Sequence, residues 1–144
     1  MGLRREGREL AVQALYQLEV TDDPTGRGLD GFWAHFRGSE PAKAFAIGLV
    51  EEVQGERARI DRLIADAAEH WRVSRLSKVD VSVLRVATGE LLACEDIPAR
   101  VTIDEAIEIA RRFGGEDSAA FVNGVLDRIA EVLGVKGKGD EPTE

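Results

Sequence analysis

The chain has 144 residues, of which 44% are hydrophobic and 32% charged, a length and composition that suit one domain with a single core. Its formal net charge of −8 excludes indiscriminate nucleic-acid binding, which needs a broad basic surface to displace counterions. A Debye length of about 8 Å still leaves room for a local basic site, and an acidic chain suits a basic protein partner.

Apolar residues recur with the 3.6-residue period of helices, and no strand pattern of useful length interrupts them. A first helix is expected over about Arg4–Val20, with Ala11, Ala14, Leu15 and Leu18 on one face, ended by the turn formers Thr21 to Gly26. A short second helix carries Leu29, Phe32, Trp33 and Phe36 and stops at Gly38. Ser39-Glu40-Pro41 combines a cap with an early proline and starts a third helix that buries Phe45, Leu49 and Val53. Gly55 separates it from a fourth, Glu56–Trp71, with Ile60, Leu63, Ile64, Ala67 and Trp71 inward. Ser77 to Asp80 reads as a capping box with Asp in place of Glu. The fifth helix runs from there to about Glu95 on a stripe of Val79, Val83, Ala87 and Leu91.

Pro98 pushes Ile97 towards an extended conformation. Thr102-Ile103-Asp104-Glu105 is a capping box for a sixth helix burying Ile103, Ala106, Ile107, Ala110 and Phe113, with Gly114 as its left-handed stop. Ser118 is placed to cap a last helix with Val122, Val125, Leu126, Ile129 and Leu133 inward, ending at Gly134. The expected architecture is all-α, a single bundle of about seven helices over residues 1–135. Residues 136–144, rich in Gly and charge, are expected to be a disordered tail.

Catalytic chemistry finds no footing in this pattern. The two histidines, His35 and His70, lie on separate helices, and HExxH, CxxC and Walker-type spacings are absent. A single cysteine, Cys94, excludes an internal disulfide and a cysteine metal cluster. Acidic pairs such as Glu51-Glu52 and Asp104-Glu105 read as solvated helix faces or favourable charges near helix starts. No enzyme and no cofactor are expected. No apolar run approaches the ~20 residues of a membrane span, and Met1–Leu10 lacks the apolar core of a signal peptide, so a cytoplasmic protein without membrane contact is expected.

Two segments point to binding. Arg4, Arg5 and Arg8 crowd the first turns of helix one, where cations oppose the helix dipole and arginine forks suit phosphate. Glu6 and Glu9 are alternative partners for them within a solvated terminus. The second segment runs from Phe113 to Gly124: a Gly-Gly turn enters a helix start whose free amides can hold an anion. Phe121 is a core candidate and a stacking candidate at once. Gly124, inside a helix at a cost of about 1 kcal/mol, calls for close packing or close approach of a ligand.

Four blocks, in this order and spacing, resemble the NusB family of transcription antitermination factors. They are Arg8-Glu9-Leu10-Ala11-Val12-Gln13-Ala14-Leu15-Tyr16; Val83-Leu84-Arg85-Val86-Ala87 with Glu90-Leu91; Ile97-Pro98 with Ile103-Asp104-Glu105-Ala106-Ile107-Glu108-Ile109-Ala110; and Phe121-Val122-Asn123-Gly124-Val125-Leu126-Asp127. The resemblance spans about Arg4 to Leu133. It implies a helical RNA-binding protein that pairs with the small-subunit ribosomal protein NusE. The pair binds boxA RNA of ribosomal RNA leader transcripts and joins other Nus factors on RNA polymerase, acting by assembly. Carried onto this sequence, the RNA surface falls on Arg4, Arg5, Arg8, Phe113, Gly114, Asp117, Ser118 and Phe121, and the protein-partner face on Tyr16 and Asp80.

Two departures stand out: Glu6 where relatives often carry a basic residue, and Gly89, read as a surface position, where the family often has an aromatic. Two other readings compete. One is a helical protein-interaction module that never touches RNA, favoured by the net charge of −8. The other is the NusB-like portion of a ribosomal RNA cytosine methyltransferase, which requires a Rossmann-type domain that this sequence does not supply. The outer face of helix one is also open to homodimer formation.

Overall fold

The computed structural model describes residues 2–21, 28–69 and 76–135, and all its regular structure there is helical. The elements are α1 (Leu3–Thr21), α2 (Leu29–Ala34), α3 (Glu40–Gly55), α4 (Arg57–Ala67), α5 (Lys78–Ala93) and α6 (Ala99–Leu133). The sixth and seventh expected helices are the two halves of α6, divided at Gly115. Trp71, His70 and the tail 136–144 lie outside the described residues.

The molecule is organised around α5. Every residue from Val81 to Leu91 is buried, because α1, α3, α4 and α6 all pack against this one helix. The one-stripe expectation for α5 is thus corrected: a helix covered on all sides has no solvent face. Its polar residues, Ser82, Arg85, Thr88 and Glu90, are core residues with internal tasks. Ser82 Oγ donates to the Lys78 carbonyl at 2.7 Å. Arg85 and Glu90 carry opposite charges one and a half turns apart, and each ties α5 to two other helices. Arg85 donates to Asp61 on α4 at 2.9 and 3.0 Å and to Glu19 on α1 at 2.8 Å. Burial pulls the Arg85 pKa down, but the hydrogen bonds and charges of Asp61 and Glu19 outweigh it and hold the guanidinium above its ordinary value.

Serine caps set the starts of α3 and α5. Ser39 Oγ accepts from Ala42 N at 3.0 Å with Pro41 in the first turn, and Ser77 Oγ accepts from Asp80 N at 3.0 Å. The capping box at Thr102 is corrected. α6 begins at Ala99, directly after Pro98, and Thr102 lies inside it, 2% exposed. Its hydroxyl donates to the Glu90 carboxylate on α5, a use that outweighs capping because a buried carboxylate left short of donors is costly.

Close helix approaches depend on two glycines. A Cβ at Gly7 would stand 2.6 Å from Phe45, so α1 and α3 meet there without a side chain between them. A Cβ at Gly89 would lie 3.0 Å from Val53 Cγ2. Gly89 is therefore buried between α5 and α3, which corrects its reading as a surface position, and an aromatic has no space there.

Candidate nucleic-acid interface

The three arginines at the start of α1 are separated by the fold. Arg8 is 4% exposed. Its Nε donates to Glu90 Oε1 at 2.7 Å and its Nη2 to Glu90 Oε2 at 3.1 Å, the oxygen that also accepts from Thr102. This corrects the expectation of a solvent-facing Arg8 available to phosphate. Glu90 projects from the buried α5, and an unpaired carboxylate there would cost several kcal/mol, so the cation is held inside.

Arg4 and Arg5 point outward, with side chains 51% and 50% exposed. Their partners are not the neighbouring Glu6 and Glu9. Arg4 Nη2 reaches Asp96 at 3.0 Å, and Arg5 makes a two-pronged contact with Glu105 on α6, both arms 2.9 Å. The hydrogen bond and charge of Glu105 raise the Arg5 pKa. Glu6 instead accepts from the backbone N–H of Ser39, and Glu9 accepts from Arg112 Nη1 at 2.8 Å.

α6 completes the face. Arg111 contacts Glu108 and, at 2.9 Å, Glu116; the hydrogen bond to Glu108, then its charge, raises the Arg111 pKa. Arg112 stands 5.5 Å from the ring centre of Phe113, a cation–π distance. Together Arg5, Glu9, Glu105, Glu108, Ile109, Arg111 and Arg112 line an open groove of about 410 Å³ between α1 and α6. Arg111 and Arg112 were not singled out from the sequence. The available signal was a basic pair directly before an aromatic and a Gly-Gly break.

The break itself differs from the expected stop. Gly115, not Gly114, carries the positive φ, at φ 89° and ψ −173°, a region open essentially to glycine alone. Phe113, two residues before this break, is 43% exposed and so lies outside the buried stripe expected of it. Gly114 is needed for a different reason: a Cβ there would stand 2.4 Å from Ser118 Oγ. Ser118 accordingly sits inside the second half of α6, over Gly114, rather than capping it. Asp117 is exposed, and Phe121 is half-buried against the core.

Of the two partner-face candidates, Tyr16 is 42% exposed on α1, seven residues beyond Glu9 and on the same side of the helix. Asp80, in the first turn of α5, has Oδ1 buried without a hydrogen-bond partner. That oxygen lies 3.7 Å from where a Gly114 Cβ would be. The structure thus brings Asp80 against the Gly114–Ser118 break, joining residues assigned to different faces. Gly124 is exposed with open space around its Cβ position, which removes close packing as the reason for glycine there. Among the described residues, no group of three or more His, Cys, Asp or Glu is arranged to hold a metal ion, and no helix is long and apolar enough to cross a membrane.

Comparison with known proteins covers nearly all of this framework. The NusB family model matches residues 5–131. Transcription antitermination protein NusB of Myxococcus xanthus is 47% identical over 137 residues, covering 92% of this chain and 98% of that protein. Its counterpart from Geobacter sulfurreducens is 47% identical over 138 residues, covering 95% of this chain and 100% of its own. Among solved structures, T. maritima NusB matches with a TM-score of 0.79 and 43% identity over 89% of this chain and 90% of that one. The NusB-like chain in a crystal structure of antitermination factors NusB and NusE in complex with dsRNA has the same fold, with a TM-score of 0.79 at 22% identity over 92% of this chain and 98% of that one.

Proposed function

The chain belongs to the NusB family, and from that premise we propose that it is a transcription antitermination factor that binds boxA RNA of ribosomal RNA leader transcripts together with the ribosomal protein NusE. The observation that carries the RNA part is the α1–α6 groove, which gathers Arg5, Arg111 and Arg112 on a chain that is acidic overall. Arginine forks match phosphate oxygens, and the exposed ring of Phe113 beside Arg112 offers a stacking surface for an unpaired base. Arg4, Gly114, Asp117, Ser118 and Phe121 extend this surface. Arg8 serves it from inside, fixing the start of α1 against α5.

Tyr16 and Asp80 are the proposed contacts to the ribosomal partner. Two modest surfaces on one scaffold raise the effective concentration of RNA and partner for each other and for the remaining Nus factors on RNA polymerase. The protein acts by assembly in the cytoplasm, with no bond made or broken. In support, relatives 47% identical carry the antitermination name, and a complex of the same fold holds NusB and NusE with dsRNA.

A fluorescence-anisotropy titration of a labelled single-stranded boxA RNA, with and without the ribosomal partner, tests the proposal. The pair should bind more tightly than either protein alone and should prefer boxA over a scrambled RNA. Equal affinity for the scrambled RNA across a salt titration would return the chain to a protein-interaction module.

A further inference from the structure

Each groove arginine is already occupied by a carboxylate. Arg5 is clasped by Glu105, Arg112 is held by Glu9, and Arg111 sits between Glu108 and Glu116. Three arginines therefore face four glutamates, and the site proposed to receive a polyanion carries no net positive charge. The partners come from different elements: Arg5 and Glu9 stand on α1, the other five on α6. Helix propensity alone does not demand this arrangement, since Arg111–Glu108 is the one pair at an i,i+3 spacing.

We propose that Glu9, Glu105, Glu108 and Glu116 form a carboxylate mask over the arginine groove, which RNA phosphates must displace to bind. The inference rests on the RNA-binding reading above and adds a specificity device to it. A phosphate that reaches the Arg5 fork must take the place of Glu105, 2.9 Å away on both arms. It also stays within a Debye length of that carboxylate. Arg5 and Arg112 are 50% and 58% exposed while Glu105 and Glu9 are 17% and 16% exposed. Displacement therefore costs more than at a fully exposed pair, yet with water at the arginine it stays cheap enough for a ligand that adds further contacts. It is not cheap enough for backbone phosphates alone. Mask and arginines together thus reject RNA in general and admit the RNA whose bases, or whose bound partner protein, supply the remainder. The net charge of −8 and an RNA site then coexist without conflict.

The mask and the alternative role for the same carboxylates, holding the arginine forks in a binding-ready pose, predict opposite signs. Glu105→Gln and Glu9→Gln keep side-chain shape and remove one negative charge each. At ~7 Å in water, one charge corresponds to about a threefold change in affinity. Each variant, titrated against labelled boxA and scrambled single-stranded RNA, should bind both about threefold more tightly, with the double variant near tenfold and the preference for boxA reduced. The gain should shrink at ~0.5 M salt, where screening shortens.

Glu108→Gln and Glu116→Gln, at carboxylates 62% and 79% exposed, repeat the test at positions where folding is not at stake; thermal melts verify the other two. Unchanged or weaker RNA binding in these variants, in a protein that Arg5→Ala still weakens, overturns the mask and leaves the RNA face standing. Indifference of binding to Arg5→Ala and Arg112→Ala as well removes the RNA face and the mask with it.

Discussion

Arg5 and Arg8 are three positions apart on α1, chemically identical and both bound to glutamate through two hydrogen bonds. Arg8 and Glu90 have side chains 5% and 0% exposed, whereas Arg5 is 50% exposed. The first pair is sealed between α1, α5 and α6, where both charges have lost water and each depends on the other. In the second, Glu105 is 17% exposed but the arginine keeps half its surface in water, which leaves the contact open to exchange. Burial, not residue type or partner, decides whether an arginine on this helix is a structural clasp or a replaceable contact.

The comparison breaks most readily at Arg8. Arg8→Ala leaves Glu90 buried with Thr102 as its remaining donor, and removal of one member of a buried pair costs about 3–5 kcal/mol. The melting temperature should fall by roughly 10 °C in a chain of this size, with a matching drop in the urea midpoint. Replacing both charges with apolar residues, Arg8→Met with Glu90→Leu, should recover most of the loss. If Arg8→Ala melts with the wild type, the clasp does not exist.

A smaller effect is expected at the break that shapes the exposed group. Gly115→Ala forces a Cβ into φ 89°, ψ −173° and should cost about 1–3 kcal/mol in urea unfolding. It should also weaken RNA binding, because the break sets the pose of Phe113 and the arginines before it. Gly114→Ala would put its Cβ 2.4 Å from Ser118 Oγ, which can rotate away, and 2.8 Å from Ser118 Cβ, which cannot, so it should shift the break and lower stability as well. A Gly115→Ala variant that unfolds with the wild type would mean that the positive φ carries no strain.

Arg5→Ala should do to binding what Arg8→Ala does to folding. The thermal melt should stay within a degree or two of wild type, while RNA affinity falls severalfold and the salt slope drops by about one unit. A melt that shifts as far as that of Arg8→Ala would erase the distinction between the two residues.

How much of this could be read in advance differs between the two arginines. The helices, their order and half of the expected caps follow from local signals: Ser39, Ser77 and Gly134 cap as their sequence context implies, whereas Thr102, Gly114 and Ser118 do not, and the family blocks coincide with α1, α5 and α6. The fate of Arg8 was not local. Arg4 and Arg8 share a nominal helix face, and only the position of Glu90, 82 residues away, draws one inward. The same long-range pairing turned the apparent capping box at Thr102 into a core hydroxyl, and the polar residues of α5 disguised a helix buried all round. In the groove, the partners of Arg5 and Arg112 are 100 and 103 residues distant. Spacing rules within one helix cannot reach that far.

Cys94 senses one buried and one exposed pair at once, because it sits just after the end of α5 within the fields of Arg8–Glu90 and Arg4–Asp96. Burial comes first in pushing its thiol up, followed by the charges of Glu90 and Asp96; Arg4 and Arg8 pull the other way. A raised thiol pKa holds the proton longer in the folded chain than in the unfolded one. Its contribution to stability is therefore full below the ordinary thiol range and is lost as pH rises through the raised value. At pH 8, iodoacetamide should alkylate Cys94 more slowly in the folded protein than in urea. Asp96→Asn should speed the folded reaction slightly, and ~0.5 M salt should do the same, since Asp96 is 70% exposed and easily screened. Most of the protection should survive salt, because burial and Glu90, at 0% exposure, lie beyond the reach of counterions. Salt that abolishes the protection would mean that the exposed pair, and not the buried one, governs this corner of the molecule.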